Sequence, residues 1–346
     1  MPLGRIAFLG SGETSLAGGR IFEALARLLP SPLRIAILET PAGFELNSAQ
    51  VAGRVGEFLA TRLQNYKPVI DIVPARKKDS PFSPDDPEII EPLLYADMIF
   101  MGPGSPTYAI RHLRDTLAWD LIRARHRLGA TLIFASAATI SIGAHALPVY
   151  EIYKVGQDVH VVGGLNLFAD YGLHLSFIPH WNNAEGGADL DTSRCFVGME
   201  RFNQWCDQVP VENTTLGLDE HTGIIMDLEN GVCEVSGISS VSIVRECDPE
   251  IYPSGSKFEL RELGEFVVPD PIQSGIRMGA WDMAVNAPPL EDDRPSDEVL
   301  TLAEKRQAAR NVKNWAESDR LRDEIAALGW TVQDGRDGYK LMRVDG

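Results

Sequence analysis

Short apolar runs alternate with longer amphipathic stretches through residues 5–134 of the chain. Apolar runs without polar alternation are typical of strands that are buried on both faces. The predicted strands are Arg5–Leu9, Arg34–Leu38, Val69–Val73, Met98–Met101 and Thr131–Phe134, and the predicted helices are Leu16–Leu29, Asn47–Tyr66 and Pro106–Arg127. This order predicts a doubly wound, mostly parallel α/β sheet, in which ligands bind beyond the carboxyl ends of the strands.

The second half of the chain has a different pattern. Short strands separated by turn signals predict antiparallel hairpins that complete the same domain, namely Thr215–Leu218, Gly223–Leu228, Val232–Ser236 and Val241–Val244. We therefore expect a first domain over residues 1–265. Prolines and an acidic run predict a linker over 266–295. A helical pattern from Ser296 that ends at Gly329 predicts a small α-helical hairpin subdomain over 296–346.

The net charge and the cysteines indicate which partners and which cellular compartment to expect. The formal net charge of −17 opposes binding of nucleic-acid phosphates unless a local basic patch overcomes it, and such a charge is also ordinary for cytoplasmic enzymes. The apolar stretch near the N-terminus is too short for a signal sequence or a membrane span. We expect a soluble cytoplasmic protein without membrane contact. Its four cysteines show no CxxC spacing and are expected to be reduced thiols: Cys195, Cys206, Cys233 and Cys247.

The segment Thr131–Gly143 carries the first candidate for chemistry. A buried strand ends beside Ser136, small residues flank this serine, and a helix follows. A serine on a sharp strand-to-helix turn projects its hydroxyl above the sheet, and the next backbone N–H can donate to an oxyanion. The alternative is a serine that only caps the helix. Both interpretations are compatible with this segment alone.

Two glycine-containing loops follow other strands. In Met101–Tyr108 the glycines let the backbone approach a substrate, so that an N–H could supply a second oxyanion donor; the alternative is a tight turn with Pro106 opening a helix. Gly10-Ser11-Gly12-Glu13 resembles a shortened phosphate-binding turn without the third glycine, and a structural turn is the preferred interpretation.

A histidine and a carboxylate follow later strands. His180 ends an apolar run, where a general base is well placed beside a nucleophile at the same sheet edge. His174 and His145 are alternatives, the latter expected on the helix after Ser136. Glu220 ends another strand and could orient the histidine and stabilise its cation.

The order of these motifs resembles the peptidase E and cyanophycinase family, a serine-hydrolase branch of the class I glutamine amidotransferase-like fold. The motifs are GSGE, GPGSPT, a serine followed by alanine, IPHWNNAEGG and GLDE, and the likeness covers residues 4–245. The resemblance implies Ser136 as nucleophile, His180 as base and Glu220 as the orienting carboxylate. It also implies oxyanion N–H donors at Gly104 and Ala137, and substrate contacts from Asn183, Glu185 and Arg194.

The elbow departs from the family pattern. The family sequence is Gly-x-Ser-Ala-Gly-Ala, whereas this chain has Phe134, Ala138 and Thr139 in place of both glycines and the last alanine. Extra Cβ atoms crowd a turn that glycine normally relieves, so the elbow is either rebuilt or inactive. The segment His145–Gly156 also differs from the family and is expected to reshape the pocket.

The tail over Leu300–Arg343 resembles the C-terminal end of cysteinyl-tRNA synthetase, part of its anticodon-binding region. The resemblance implies tRNA as a partner of residues 300–343. Basic residues that could meet phosphates are Arg306, Arg310, Lys313, Arg320 and Arg322. Acidic residues on the same helices offer the alternative of a solvated, salt-paired face: Glu304, Glu317, Asp319, Asp323 and Glu324. No HIGH-like or KMSKS-like signature of a synthetase catalytic domain is found.

Three hypotheses for function follow. The first is a serine peptidase that acts on small aspartyl peptides through a Ser-His-Glu triad. The second is a catalytically inactive amidotransferase-like protein that binds a ligand or RNA and is linked to tRNA through its tail. Glutamine amidotransfer needs a cysteine where Ser136 stands, which disfavours it. No metal or organic cofactor is implied, and the family resemblance suggests a homodimer.

Overall fold

The structure is a computed structural model that describes residues 2–269, 275–288, 290, 295–335 and 338–343. The chain divides into two compact units, Met1–Ala287 and Pro288–Gly346. None of the helices in the described ranges is both long and apolar enough to cross a membrane.

Strands and helices alternate in the first half of the first unit. The strands are β1 (Ile6–Leu9), β2 (Arg34–Leu38), β3 (Val69–Val73), β4 (Met98–Met101) and β5 (Thr131–Ala135). The helices are α1 (Leu16–Ala26), α2 (Ser48–Arg62), α3 (Pro87–Ile90), α4 (Pro106–Leu113), α5 (Leu117–Arg127) and α6 (Ala137–Ile142). All five strands lie within one residue of their predicted bounds.

The second half of this unit is richer in strands. They are β6 (His145–Ala146), β7 (Val162–Gly163), β8 (Leu175–Ile178), β9 (Thr214–Leu218), β10 (Thr222–Asp227), β11 (Val232–Gly237), β12 (Ser240–Arg245), β13 (Asp248–Pro253) and β14 (Lys257–Glu259). The helices are α7 (Val149–Tyr153), α8 (Met199–Cys206) and α9 (Met278–Val285).

The central sheet has eight strands in the order β14-β11-β10-β1-β5-β4-β2-β3. β1, β5, β4, β2 and β3 are parallel, whereas β10 joins β1 in antiparallel fashion. Ile6 and Phe8 pack into one apolar cluster and Ala7 and Leu9 into another, so the sheet is covered on both faces. The predicted doubly wound, mostly parallel fold is confirmed.

A second sheet has the order β13-β12-β9-β8, with β8 and β9 parallel. The predicted hairpins therefore divide between two sheets: β10 and β11 extend the central sheet, while β9 and β12 pair in the smaller one. His180 follows β8 and Glu220 follows β9, so this parallel pair places the two side chains at one edge.

Two local expectations were wrong. The predicted helix over 106–127 is two helices, because Asp115 adopts a left-handed φ of 58° and Thr116 caps α5 by accepting from the Trp119 N–H. His145 lies in β6, not on the helix after Ser136, because α6 ends at Ile142.

The segment expected as a linker over 266–295 differs in its described part. It contains α9, whose Ala280 and Ala284 are buried and belong to the larger apolar cluster of the first unit. Apolar contact with that cluster explains why this stretch is helical despite the prolines on either side of it.

The second unit contains α10 (Asp297–Asn311) and α11 (Trp315–Ala327), and the helical pattern ends at Gly329 with a φ of 80°. A hairpin of β15 (Trp330–Gly335) and β16 (Gly338–Arg343) follows, which the sequence interpretation missed. The buried core of the second unit consists of Val299, Ala303, Ile325 and Trp330. The hairpin supplies apolar surface that covers the two helices.

The cysteine prediction was wrong for one pair. Cys206 at the end of α8 and Cys247 in the β12–β13 turn form a disulfide. Their sequence separation of 41 residues gave no signal, because only tertiary folding brings the two segments together. Cys195 and Cys233 are buried free thiols.

Candidate active site

Ser136 occupies a strained turn between β5 and α6. Its φ of 52° and ψ of −119° lie in a region that non-glycine residues rarely adopt. Ser136 stands at the N-cap position, but its side chain makes no capping hydrogen bond. Instead Oγ lies 3.1 Å from Nε2 of His180. This contact favours the nucleophile interpretation over that of a helix cap.

His180 is held by backbone contacts on three sides. Its N–H donates to the Gly10 carbonyl over 3.0 Å, and its own carbonyl accepts from the N–H groups of Asn183 and Cys195. Its φ of 50° is also left-handed. The ring reaches Ser136 with Nε2, while Nδ1 lies 3.1 Å from Oε1 of Glu220. The three residues therefore form one continuous hydrogen-bonded relay.

Glu220 completes this relay and is fixed by two neighbouring asparagines. The Asn183 side-chain amide donates to Glu220 Oε1 over 3.0 Å, and the Glu220 N–H donates to Asn182 Oδ1 over 2.8 Å. Burial alone would raise the pKa of Glu220, but hydrogen bonds from Asn183 and His180 outweigh it and hold the pKa below its ordinary value. Glu220 is thus ionised at neutral pH and can stabilise a cationic His180.

The Gly10–Glu13 turn braces the relay. Besides accepting from His180, Gly10 donates to the Thr222 carbonyl, and a Cβ at position 10 would lie 2.1 Å from the Asp219 carbonyl oxygen. The His221 N–H donates to Ser11 Oγ. These contacts agree with a structural turn, and they explain why the first position is glycine.

The two candidate oxyanion donors lie in segments that meet at the elbow. Ala137 is the first residue of α6, so its N–H has no acceptor within the helix. Gly104 has a φ of 146° and lies against the Pro41 carbonyl, with no space for a Cβ. The Ala138 N–H donates to the Gly102 carbonyl over 3.2 Å, which joins the Gly104 loop to the elbow.

The three candidate substrate-binding residues have different environments. Asn183 is 3 % exposed, and its amide contacts Glu220 and the Glu185 N–H, so it lies behind the relay and differs from the expected substrate contact. Glu185 is exposed. Arg194 stacks on the Trp181 ring at 3.7 Å and donates Nη1 to the Trp181 carbonyl. Burial lowers the pKa of Arg194, while Asp191 and Asp219 oppose that effect.

Three consecutive residues with left-handed backbone conformation lie beside His180. Arg194, Cys195 and Phe196 have φ values of 58°, 60° and 70°. The Phe196 ring lies 5.4 Å from the His180 ring and stacks on Tyr153 of α7 at 5.8 Å. Sequence reasoning missed both aromatic residues, although it marked 145–156 as a segment that would reshape the pocket.

The two alternative histidines, His145 and His174, make no hydrogen bond to Ser136 within the described part of the chain. The Oγ of Ser136 lies beside His180 instead. Burial lowers the pKa of His145, while Glu212 opposes that effect. Of the three histidines considered, His180 is the one that forms a hydrogen bond with Ser136 in the described ranges.

The first unit resembles a solved peptidase in fold. The crystal structure of a peptidase from an acI-B1 Actinobacterium has a TM-score of 0.58 and 18 % identity over 74 % of this chain and 97 % of that one. A putative peptidase E protein from Listeria monocytogenes EGD-e has a TM-score of 0.42 and 14 % identity over 72 % of this chain and 98 % of that one. The expected peptidase-like fold is confirmed by the first likeness.

The second unit resembles part of a tRNA ligase. Residues 293–339 match the family described as the cysteinyl-tRNA ligase anticodon binding domain. The cysteine–tRNA ligase of Chlamydia trachomatis serovar A is 44 % identical over 63 residues, which are 18 % of this chain and 13 % of the ligase. The ligase of Opitutus terrae is 45 % identical over 64 residues, 18 % of this chain and 14 % of the ligase. The chain spans about one eighth of the length of these relatives.

Proposed function

We propose that the chain is a serine hydrolase that cleaves small aspartyl peptides. The observation that carries the proposal is the relay from Ser136 Oγ through the His180 ring to Glu220, with both contacts at 3.1 Å. Serine alone is a weak nucleophile, and an adjacent, oriented imidazole is the arrangement that activates it.

Each member of the relay has a role in this proposal. Ser136 Oγ attacks the peptide carbonyl while His180 Nε2 takes the hydroxyl proton. The N–H groups of Gly104 and Ala137 stabilise the oxyanion. His180 then donates the proton to the leaving amine. A water molecule, deprotonated by His180, attacks the acyl-enzyme, and His180 returns this proton to Ser136 Oγ as the bond to the acyl carbon breaks. Glu220 stays ionised throughout and stabilises the imidazolium.

The altered elbow is compatible with this chemistry. Phe134, Ala138 and Thr139 are all fully buried, and the Phe134 ring packs on Phe8 at 5.4 Å. The added side chains point into the core while Ser136 keeps its positive φ. The rebuilt elbow supports an active serine better than the alternative of an inactive binding protein.

An aspartyl substrate is suggested by the family resemblance and by one cation. Arg194 lies one residue before Cys195, which contacts the His180 carbonyl. In this proposal the Arg194 guanidinium, which stacks on the Trp181 ring, attracts the substrate carboxylate.

The test is hydrolysis of a panel of aspartyl dipeptides by the wild type, by Ser136→Ala and by Ser141→Ala. Ser141 is a matched control, because it is buried on the same helix and donates only to the Ala138 carbonyl. We expect turnover to disappear in Ser136→Ala, which keeps its fold, and to persist in Ser141→Ala. Full hydrolysis by Ser136→Ala would refute the proposal.

A second function, RNA binding by the tail, is favoured by the match to an anticodon binding domain. Trp315 is 55 % exposed, and the Arg310 guanidinium lies 5.5 Å from its ring, an arrangement on which a base can stack. Against this, most of the basic side chains are paired with acids: Arg306 and Arg310 with Asp334, Arg320 with Glu317 and Glu324, and Arg322 with Asp319.

This second proposal also places the chain in the cytoplasm, where tRNA resides. It is tested by the affinity of the whole protein for unmodified tRNA at several salt concentrations. We expect binding that weakens steeply with salt and is reduced in Trp315→Ala. Absence of binding at low salt would remove the RNA function without affecting the hydrolase.

A further inference from the structure

An ion pair between a buried carboxylate and a partly exposed guanidinium follows the carboxyl ends of β2 and β3. Glu39 is 3 % exposed, and its Oε2 accepts from Arg76 Nε over 2.7 Å and from Ser48 Oγ over 2.8 Å. Removing a carboxylate from water is costly, so an ion pair of this kind is weak evidence for a contribution to stability alone. The geometry around the pair indicates another role.

The pair joins two segments, residues 39–43 and 75–76, which we call the platform. Thr40 Oγ1 donates to the Ala75 carbonyl over 2.5 Å. The backbones are so close that a Cβ at Gly43 would lie 2.5 Å from the Arg76 carbonyl oxygen. The Ala42 N–H donates to the Glu39 carbonyl over 3.0 Å, which closes the turn above the ion pair.

The Gly104 loop rests on this platform through backbone contacts. The Ser105 N–H donates to the Pro41 carbonyl over 2.9 Å. A Cβ at Gly104 would lie 1.9 Å from the same oxygen, so this backbone approach requires glycine. Tyr108, one turn further along, donates its hydroxyl to the Arg76 carbonyl over 3.1 Å. Both segments of the platform therefore hold the loop.

We infer that Glu39 and Arg76 are positioning residues for hydrolysis, whose ion pair fixes the platform that aims the Gly104 N–H at the oxyanion. This inference rests on the proposed hydrolase function. In this inference neither Glu39 nor Arg76 contacts the substrate. Their effect is transmitted through Pro41, and the Gly102 carbonyl, which accepts from Ala138, connects the same loop to the nucleophile elbow.

The expected consequence is a change in kcat and not in KM. An oxyanion donor acts in the transition state, and a misplacement of about 1 Å can cost about 100-fold in rate. Glu39→Gln keeps the size of the side chain and removes the charge that pairs with Arg76. We expect kcat for an aspartyl dipeptide to fall by about tenfold or more, with KM changed less than about twofold.

Asp227→Asn is the matched control, because it breaks the ion pair of Asp227 with Arg5, which precedes β1 at the opposite end of the central sheet. We expect its kcat to equal that of the wild type. Arg76→Lys is a milder second variant for the case that Glu39→Gln does not fold, and circular dichroism checks both. An equal loss of kcat in the control, or a change confined to KM, would overturn the inference.

Hydrogen exchange gives a readout that does not depend on activity. The Ser105 amide donates to Pro41, so a loosened platform exposes it. We expect its exchange to be about tenfold faster in Glu39→Gln and unchanged in Asp227→Asn. Unchanged exchange in Glu39→Gln would overturn the inference. If the wild type hydrolyses nothing, the proposed function fails and the role in hydrolysis fails with it, whereas the exchange rate still decides whether Glu39 supports the loop.

Discussion

Asn183 donates its side-chain amide to the same Glu220 oxygen that faces His180, and it is itself almost fully buried. Asn183 thus holds the carboxylate that contacts His180. Its hydrogen bond favours the ionised form of Glu220 and helps to keep the pKa of this group below its ordinary value. This relationship links the stability of the site to pH.

Asn183→Leu removes this hydrogen bond and the one that Asn183 Oδ1 accepts from the Glu185 N–H, at similar volume. We expect a loss of at least about 1.5 kcal/mol in the free energy of unfolding at pH 7. Because the folded pKa of Glu220 lies below its ordinary value, the carboxylate contributes stability that is fully present above the ordinary pKa and is lost as pH falls through the folded pKa. The difference between variant and wild type should therefore shrink on acidification, as measured by urea unfolding between pH 7 and pH 3. The exposed Glu200→Gln serves as control, and a difference independent of pH would contradict the prediction.

Arg194→Met should discriminate between substrates. If the guanidinium attracts a substrate carboxylate, kcat/KM for an aspartyl dipeptide should fall about 10- to 100-fold, whereas kcat/KM for the matching asparaginyl dipeptide should change little. Methionine keeps an unbranched chain against Trp181, so the stacked position remains filled. An equal fall for both peptides would show that Arg194 acts only through packing.

Trp330→Ala should unfold the tail selectively. Trp330 is 8 % exposed in the small core of the second unit, and its truncation should cost about 3–5 kcal/mol. Trp315→Ala is the matched control, because that ring is half exposed and its loss should cost less than about 0.5 kcal/mol. Proteolysis followed by mass spectrometry measures which segment opens. Equal protection of the tail in both variants would contradict the packing described here.

Thiol titration tests the disulfide. The chain has four cysteines, and Cys206 is bonded to Cys247. Protein denatured without reductant should therefore react with two equivalents of a thiol reagent, and with four after reduction. The native protein should react slowly, because Cys195 and Cys233 are buried and burial raises the pKa of Cys195 to about 12. Four reactive thiols without reductant would show that the pair is reduced.

The strands of the central sheet could be predicted because burial on both faces leaves a nearly unbroken apolar run, as in Met98–Met101. The break between α4 and α5 could not, because Arg114, Asp115 and Thr116 are polar residues that an exposed helix turn would also accept. The disulfide and the β15–β16 hairpin depend on tertiary contacts. Trp330 and Val332 of this hairpin pack with Val299, Ala303 and Ile325 of the two helices.

The candidate site likewise has some features that the sequence pattern predicts and others that depend on tertiary contacts. The positions of Ser136, His180 and Glu220 at strand ends follow from local pattern and topology, and the structure brings them together. The direction of a side chain is not contained in such a pattern, so Asn183 was assigned to the substrate although it faces Glu220. Phe196 was missed because its left-handed backbone is a tertiary feature without a glycine signal.

The two hydrogen bonds of Gly10 have a consequence for how this site can change by mutation. The Gly10 N–H donates to the Thr222 carbonyl, the Gly10 carbonyl accepts from the His180 N–H, and a Cβ at this position would lie 2.1 Å from the Asp219 carbonyl oxygen. The main-chain atoms of one short turn thus help to set the distances between the residues of the relay. We therefore expect one residue inserted between Leu9 and Gly12 to shift His180 and the Asp219–Glu220 segment together.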